Sequence, residues 1–161
     1  MFENLSAFDV LDIALKVEAN GVRFYQAAAK GVDEPQASAL LDQLAQWEQT
    51  HVRIFSDLQE RLSRENGQRE TYEAQCVRHS DAQLLAGLAV FGIQPNPWPE
   101  LTGKETPHDV LGLALKKERE SVTFYRGLKD FVPADSDRKM IDRVLQEELV
   151  HVKVLEDALR R

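Results

Sequence analysis

Glutamate and histidine recur in this sequence at spacings suited to holding metal ions. Glu18 is followed thirty residues later by Glu48-x-x-His51, and Glu118 is followed thirty residues later by Glu148-x-x-His151, so the two sets are offset by 100 residues. A glutamate and a histidine three apart on a helix project from one face and can share an ion. Folded together, the halves would bring four carboxylates and two imidazoles to one point, the donor set of a carboxylate-bridged two-metal site in a helical bundle. Without cations, four buried carboxylates repel one another and lose their hydration. Two divalent ions would balance their charge.

The repeat extends beyond these six residues. Leu11 to Glu18 lies over Leu111 to Glu118, Val22, Phe24 and Tyr25 match Val122, Phe124 and Tyr125, and His51-Val52 matches His151-Val152. Such a match without net insertion points to duplication of a helical hairpin. Registry then places the candidates. Leu41, Leu44, Glu48, His51, Phe55, Leu58 and Leu62 alternate steps of three and four, as do Ile141, Val144, Glu148, His151, Leu155 and Ala158. In the other two segments Leu11, Leu15, Glu18, Val22 and Tyr25, and Leu111, Leu115, Glu118, Val122 and Tyr125, do the same. This is the inward stripe of a bundle helix. Glu18 lies 14 residues before position 32 and Glu48 lies 16 after it. At ~1.5 Å per residue both sit roughly 21–24 Å from the intervening turn, side by side.

The elements that position them are read from caps and breakers. The first helix is expected over about Ser6–Lys30, with Gly31 as a stop, and the second from the Asp33-Glu34-Pro35 turn to about Asn66-Gly67. Thr106-Pro107-His108-Asp109 opens the third with an N-cap and a proline at the first helical position. Val132-Pro133-Ala134-Asp135 separates it from the fourth, which runs nearly to Arg161. Ser80 to Phe91 can form a short helix, and the three prolines from Pro95 to Pro99 bar regular helix after it. The expectation is an all-α chain in one domain over 1–161: hairpin 5–66, crossover 67–105, hairpin 106–161. Two short turns and one long middle connection match the ferritin-like four-helix bundle.

Composition bounds the partners and the compartment. A net charge of −7 argues against nucleic acid or an anionic membrane as partner. No apolar run approaches the ~18 residues of a membrane span, and the polar Met1-Phe2-Glu3-Asn4 start is unlike a signal peptide. One cysteine, Cys76, excludes an internal disulfide and a four-cysteine iron site within these residues. A cytoplasmic location is expected.

The two Glu-x-x-His motifs, the paired Glu18 and Glu118 and the two Phe-Tyr matches make the chain resemble the rubrerythrin branch of the ferritin-like superfamily, without its rubredoxin domain. The resemblance covers the four helices and is weak over the crossover. It implies that Glu48 and Glu148 bridge two metal ions, with Glu18 and His51 completing one coordination sphere and Glu118 and His151 the other. Oxygen-rich ligation with imidazole suits iron first, with manganese the alternative. The resemblance further makes Tyr25 and Tyr125 hydrogen-bond donors to bridging carboxylates of the facing hairpin. Rubrerythrins carry an additional glutamate in the third helix. Here Ser121 follows Glu118 by three, and Glu120 points about 200° away unless the helix widens locally.

Other candidates read as structural or solvated. Glu147, aligned with Trp47, is expected on a neighbouring face. Trp47 is expected to pack at a helix interface, His79 and His108 to be solvated, and Cys76 to be a small apolar residue. The leading functional expectation is a non-haem dimetal oxidoreductase that reduces peroxide or dioxygen with electrons from an external donor such as a rubredoxin or a flavin reductase. The alternatives are an iron-binding protein that oxidises or holds iron without sustained turnover, and a module in which the ions only brace the bundle. The sequence leaves a homodimer open.

Overall fold

The computed structural model describes residues 7–65, 101–128 and 135–161. All regular structure among them is helical: α1 (Ala7–Gly31), α2 (Pro35–Glu65), α3 (Pro107–Leu128) and α4 (Asp135–Leu159). The expected short helix at Ser80 to Phe91, together with His79 and Cys76, lies outside the described residues. No described helix is long and apolar enough to cross a membrane.

Local chemistry sets the two helix starts that can be followed in detail. Pro35 and Pro107 occupy the first helical position, where a missing N–H costs nothing. Before α2, the Glu34 carboxylate accepts from the backbone N–H of Ala37 at 2.6 Å and of Gln36 at 3.0 Å. Before α3, Thr106 Oγ1 accepts from the Asp109 N–H at 3.2 Å, while Asp109 Oδ2 accepts from the Thr106 N–H at 3.0 Å. That reciprocal pair is a capping box with aspartate in the place of glutamate.

The closest packing joins α1 to α2 and α3 to α4, with α2 against α4. Tyr25 of α1 meets Glu118 of α3, and Tyr125 of α3 meets Glu18 of α1, so those two helices run antiparallel. On the other side His51 faces Glu147 and Arg61 faces Met140, which makes α2 and α4 antiparallel too. It follows that α2 and α3 run in the same direction. Residues 66–106 link these two parallel helices, a longer stretch of sequence than residues 32–34 and 129–134 within the hairpins.

Buried side chains form two apolar clusters. One holds Val17, Phe24, Tyr25, Leu41, Leu44, Leu111, Ala114 and Leu155, and the other Leu11, Ala14, Phe55, Leu58, Val122, Tyr125, Ile141 and Val144. In α2, α3 and α4, residues from opposite ends divide between the clusters, with the Glu and His layer between them; in α1, Ile13 and Val17 join the cluster of Phe24 and Tyr25. The duplication is visible in the side chains. Phe24 meets Tyr25 edge-on at 5.2 Å and 69°, and Phe124 meets Tyr125 at 5.1 Å and 63°.

The inward stripe of α2 is buried throughout, from Leu41 to Leu62. The stripes of α1 and α3 differ from expectation by one residue each. Leu15 and Leu115 are only half-buried, and Ala14 and Ala114 are fully buried instead. Ala14 stands four residues before Glu18, about 40° from its direction, whereas Leu15 stands three before, about 60° off on the other side. Ala158, near the end of α4, is also only half-buried.

Candidate metal centre

Glu18, Glu48, His51, Glu118, Glu148 and His151 are all buried, and the bundle brings all six together. Their ligand-capable atoms form two groups, Glu18–Glu48–His51–Glu148 and Glu48–Glu118–Glu148–His151, with the atoms of each group within 4.8 Å of one another. Glu48 and Glu148 belong to both groups. Each of these carboxylates turns one oxygen to each histidine. Glu48 Oε2 lies 3.2 Å from His51 Nδ1 and its Oε1 3.6 Å from His151 Nδ1. Glu148 Oε1 lies 3.0 Å from His51 Nδ1 and its Oε2 3.3 Å from His151 Nδ1. Glu18 faces only His51, at 3.5 Å, and Glu118 only His151, also at 3.5 Å.

His51 Nδ1 pairs with Glu48 Oε2 at 3.2 Å, but others of these atoms converge without satisfying one another. Glu118 Oε2, both oxygens of Glu148 and His151 Nδ1 are buried and lack a hydrogen-bond partner. Glu148 Oε1 is near His51 Nδ1 but out of alignment for a hydrogen bond. Buried polar atoms are ordinarily paired, and lone pairs aimed at a shared point are what a cation requires. The donor set therefore fits two divalent ions: oxygen-rich, with one imidazole per position and shared carboxylates between.

Burial, and then the neighbouring Glu48 charge, raises the Glu18 carboxyl well above its ordinary range. Glu148 is pushed up to about 8 by burial and then by the Glu118 carboxylate. Burial also opposes ionisation of Glu118, yet the adjoining Glu148 and His151 side chains win and hold it down at about 2. Burial would neutralise His151, but Glu118, Glu148 and Glu48 raise it to about 12, and His51 is raised likewise against its own burial. The protein thus draws protons into this layer, which is how an excess of buried negative charge is met when no cation balances it.

Tyr25 and Tyr125 are fully buried and donate to carboxylates across the bundle, but not to the expected ones. The acceptors are Glu118 and Glu18, each belonging to one ligand group, rather than the shared Glu148 and Glu48. Because α1 and α3 lie side by side and antiparallel, a residue two turns beyond Glu18 arrives at Glu118. Reaching Glu148 would mean crossing the bundle diagonal. Burial first, then the facing carboxylate, raises both phenol pKa values well above the ordinary range, so both remain donors.

Several weaker expectations can now be placed. Helix α3 is continuous α-helix past Glu120, which is exposed with Lys116 Nζ at 4.0 Å, so no local widening brings it inward. Ser121 is buried, and His108 is exposed. Trp47 does pack into the apolar cluster, but it also lies on the His151 ring at 4.9 Å and 9°. Glu147 lies half-buried on the face beside the stripe, as expected, and from there reaches His51 Nε2 at 3.0 Å. Its adjacency to Glu148 was the available signal: one position before the stripe still borders it. Lys117 was missed altogether. It replaces the apolar Val17 of the first half, is buried, and holds its ammonium 5.2 Å from the Phe24 ring centroid, a cation–π placement.

The order and directions of the four helices and the buried Glu/His layer define a ferritin-like four-helix bundle. Residues 9–85, the first hairpin and part of the crossover, match the Rubrerythrin family model. The chain also superposes on a Thermotoga maritima protein provisionally assigned as a ferritin-like diiron-carboxylate protein, with a TM-score of 0.70 and 22% identity over 98% of this chain and 97% of that one. No curated protein sequence gives a significant match to the chain.

Proposed function

We propose that the chain is a non-haem dimetal oxidoreductase that reduces peroxide or dioxygen with electrons from an external donor. The observation that carries this reading is the sharing of Glu48 and Glu148 between two ligand groups, each completed by one further glutamate and one histidine. Glu18 and His51 would hold one ion, Glu118 and His151 the other, with iron favoured over manganese. When bound, two redox-active ions would supply the two electrons and Lewis acidity that convert peroxide, with two protons, into two waters. The protein's own groups do the rest. Tyr25 and Tyr125 fix the orientation of Glu118 and Glu18, and the apolar clusters on either side keep bulk water from the layer. The Rubrerythrin match and the name given to the Thermotoga maritima protein support the dimetal-carboxylate part of this reading.

Electrons must come from outside these residues, because one cysteine cannot build a rubredoxin-type iron site. Iron-loaded protein should therefore consume peroxide once per site when alone, and continuously when given a reduced rubredoxin or a flavin reductase with its reductant. His51→Ala should lower the sustained rate by at least about 100-fold, since a lost ligand empties one position. Single reoxidation with no donor-dependent turnover would instead favour an iron-handling protein. A ferrous form inert to both oxidants would leave the ions a purely structural role.

A further inference from the structure

The two halves agree in all six candidate ligands yet differ in what stands behind the histidines. His51 and His151 both turn Nδ1 toward the carboxylates. Behind His51, Nε2 lies 3.0 Å from Glu147 Oε2, and the other oxygen of Glu147 accepts from Arg143 Nε at 2.9 Å. With Nδ1 directed at the cluster, Nε2 carries the proton and donates it to a carboxylate held at both oxygens. The 100-residue repeat supplies no counterpart: Gln43 replaces Arg143 and Trp47 replaces Glu147. Trp47 lies flat on the His151 ring, 4.9 Å away and 9° from parallel. It restrains that ring from one face, and its indole N–H, being donor only, cannot accept a proton from imidazole.

A carboxylate accepting the outer N–H of a metal-binding histidine fixes the tautomer and makes the ring a stronger donor. Glu147 also adds negative charge outside the shared set. We propose that the two metal positions are inequivalent, the one served by His51 binding its ion more tightly and filling first, with Glu147 as the positioning residue responsible. This rests on the dimetal reading above and adds an order of filling to it.

Metal-free protein titrated with cobalt(II), followed by calorimetry and by visible absorption, tests the order directly. The expected isotherm has two steps. The tighter step should vanish in His51→Ala and persist in His151→Ala. Glu147→Gln keeps an acceptor for the ring N–H but removes the charge. It should weaken the tighter step by about 10–100-fold, shift the absorption of the first cobalt(II) bound, and leave the second step unchanged. Trp47→Phe, which keeps an aromatic ring on His151, should leave the tighter step where it is. Equal affinity at both positions would overturn the proposal, as would a tighter step that depends on His151 or equal weakening of both steps by Glu147→Gln. Failure to bind any cobalt(II) would remove the dimetal reading itself, and the proposal with it.

Discussion

Glu48→Ala should strip the bundle of both ions at once. Its two carboxylate oxygens face the two histidines separately, one 3.2 Å from His51 and the other 3.6 Å from His151. No single ion can be lost with that side chain, because it belongs to both ligand groups. Metal content after loading and dialysis should fall from about two ions per chain to near none. Glu18→Ala, which touches one group only, should retain roughly half of the wild-type content. Glu120→Ala, on the exposed face of α3, should retain all of it. Loss of fold would not account for the result. Removing one of four crowded carboxylates relieves repulsion, and Glu48→Leu, which refills the volume among Leu44 and Phe55, should melt no lower than wild type when both are metal-free. Full stoichiometry in Glu48→Ala would take Glu48 out of the site.

Removing the metal should cost the protein much of its thermal stability, with a pH dependence opposite to the usual carboxylate case. An ion that binds only the folded chain stabilises it by about 2.7 kcal/mol at a hundredfold excess over its dissociation constant. That is about 5–10 °C of melting temperature per ion for a chain of this size. In metal-free protein, the folded state keeps protons that the unfolded chain releases. Glu148, raised from 4.5 to about 8, contributes stability that is present below 4.5 and lost as pH rises through 8. Glu18, also raised, acts in the same direction. His151, raised from 6.5 to about 12, loses its contribution above 6.5. Glu118, held at about 2, opposes this only below 4.5. Metal-free protein should therefore melt higher at about pH 5.5 than at about pH 8.5. Loaded protein should gain more from its ions at the higher pH, because metal must displace those protons. Scanning calorimetry with and without chelator reads both trends. Identical melting of the two forms near neutral pH would defeat the buried-cluster account.

The six candidate ligands were legible because helix geometry turns sequence spacing directly into direction. Glu and His three apart share a face, and a stripe of alternating three and four steps identifies the inward one. The repeat also gave the depth, since two hairpins of one length place their glutamates at one level. What the stripe could not resolve was angle finer than one residue, so Leu15 and Leu115 were placed where Ala14 and Ala114 lie. Contacts between helices were harder still. The acceptors of Tyr25 and Tyr125 depend on which helices are neighbours and which are diagonal. The roles of Glu147 and Trp47 depend on how deeply α2 and α4 settle against one another. Lys117 ran against the pattern outright, since a charged residue at an apolar repeat position reads as exposed until the Phe24 ring that covers it is in view.

Elemental analysis of the protein purified without added metal tests the central claim most directly. The shared carboxylates and the charge of the cluster predict about two transition-metal ions per chain, iron foremost, and their joint disappearance in Glu48→Ala prepared in the same way. Protein that carries no transition metal and takes up none on reconstitution would contradict the claim. So would a single ion per chain that survives the loss of Glu48.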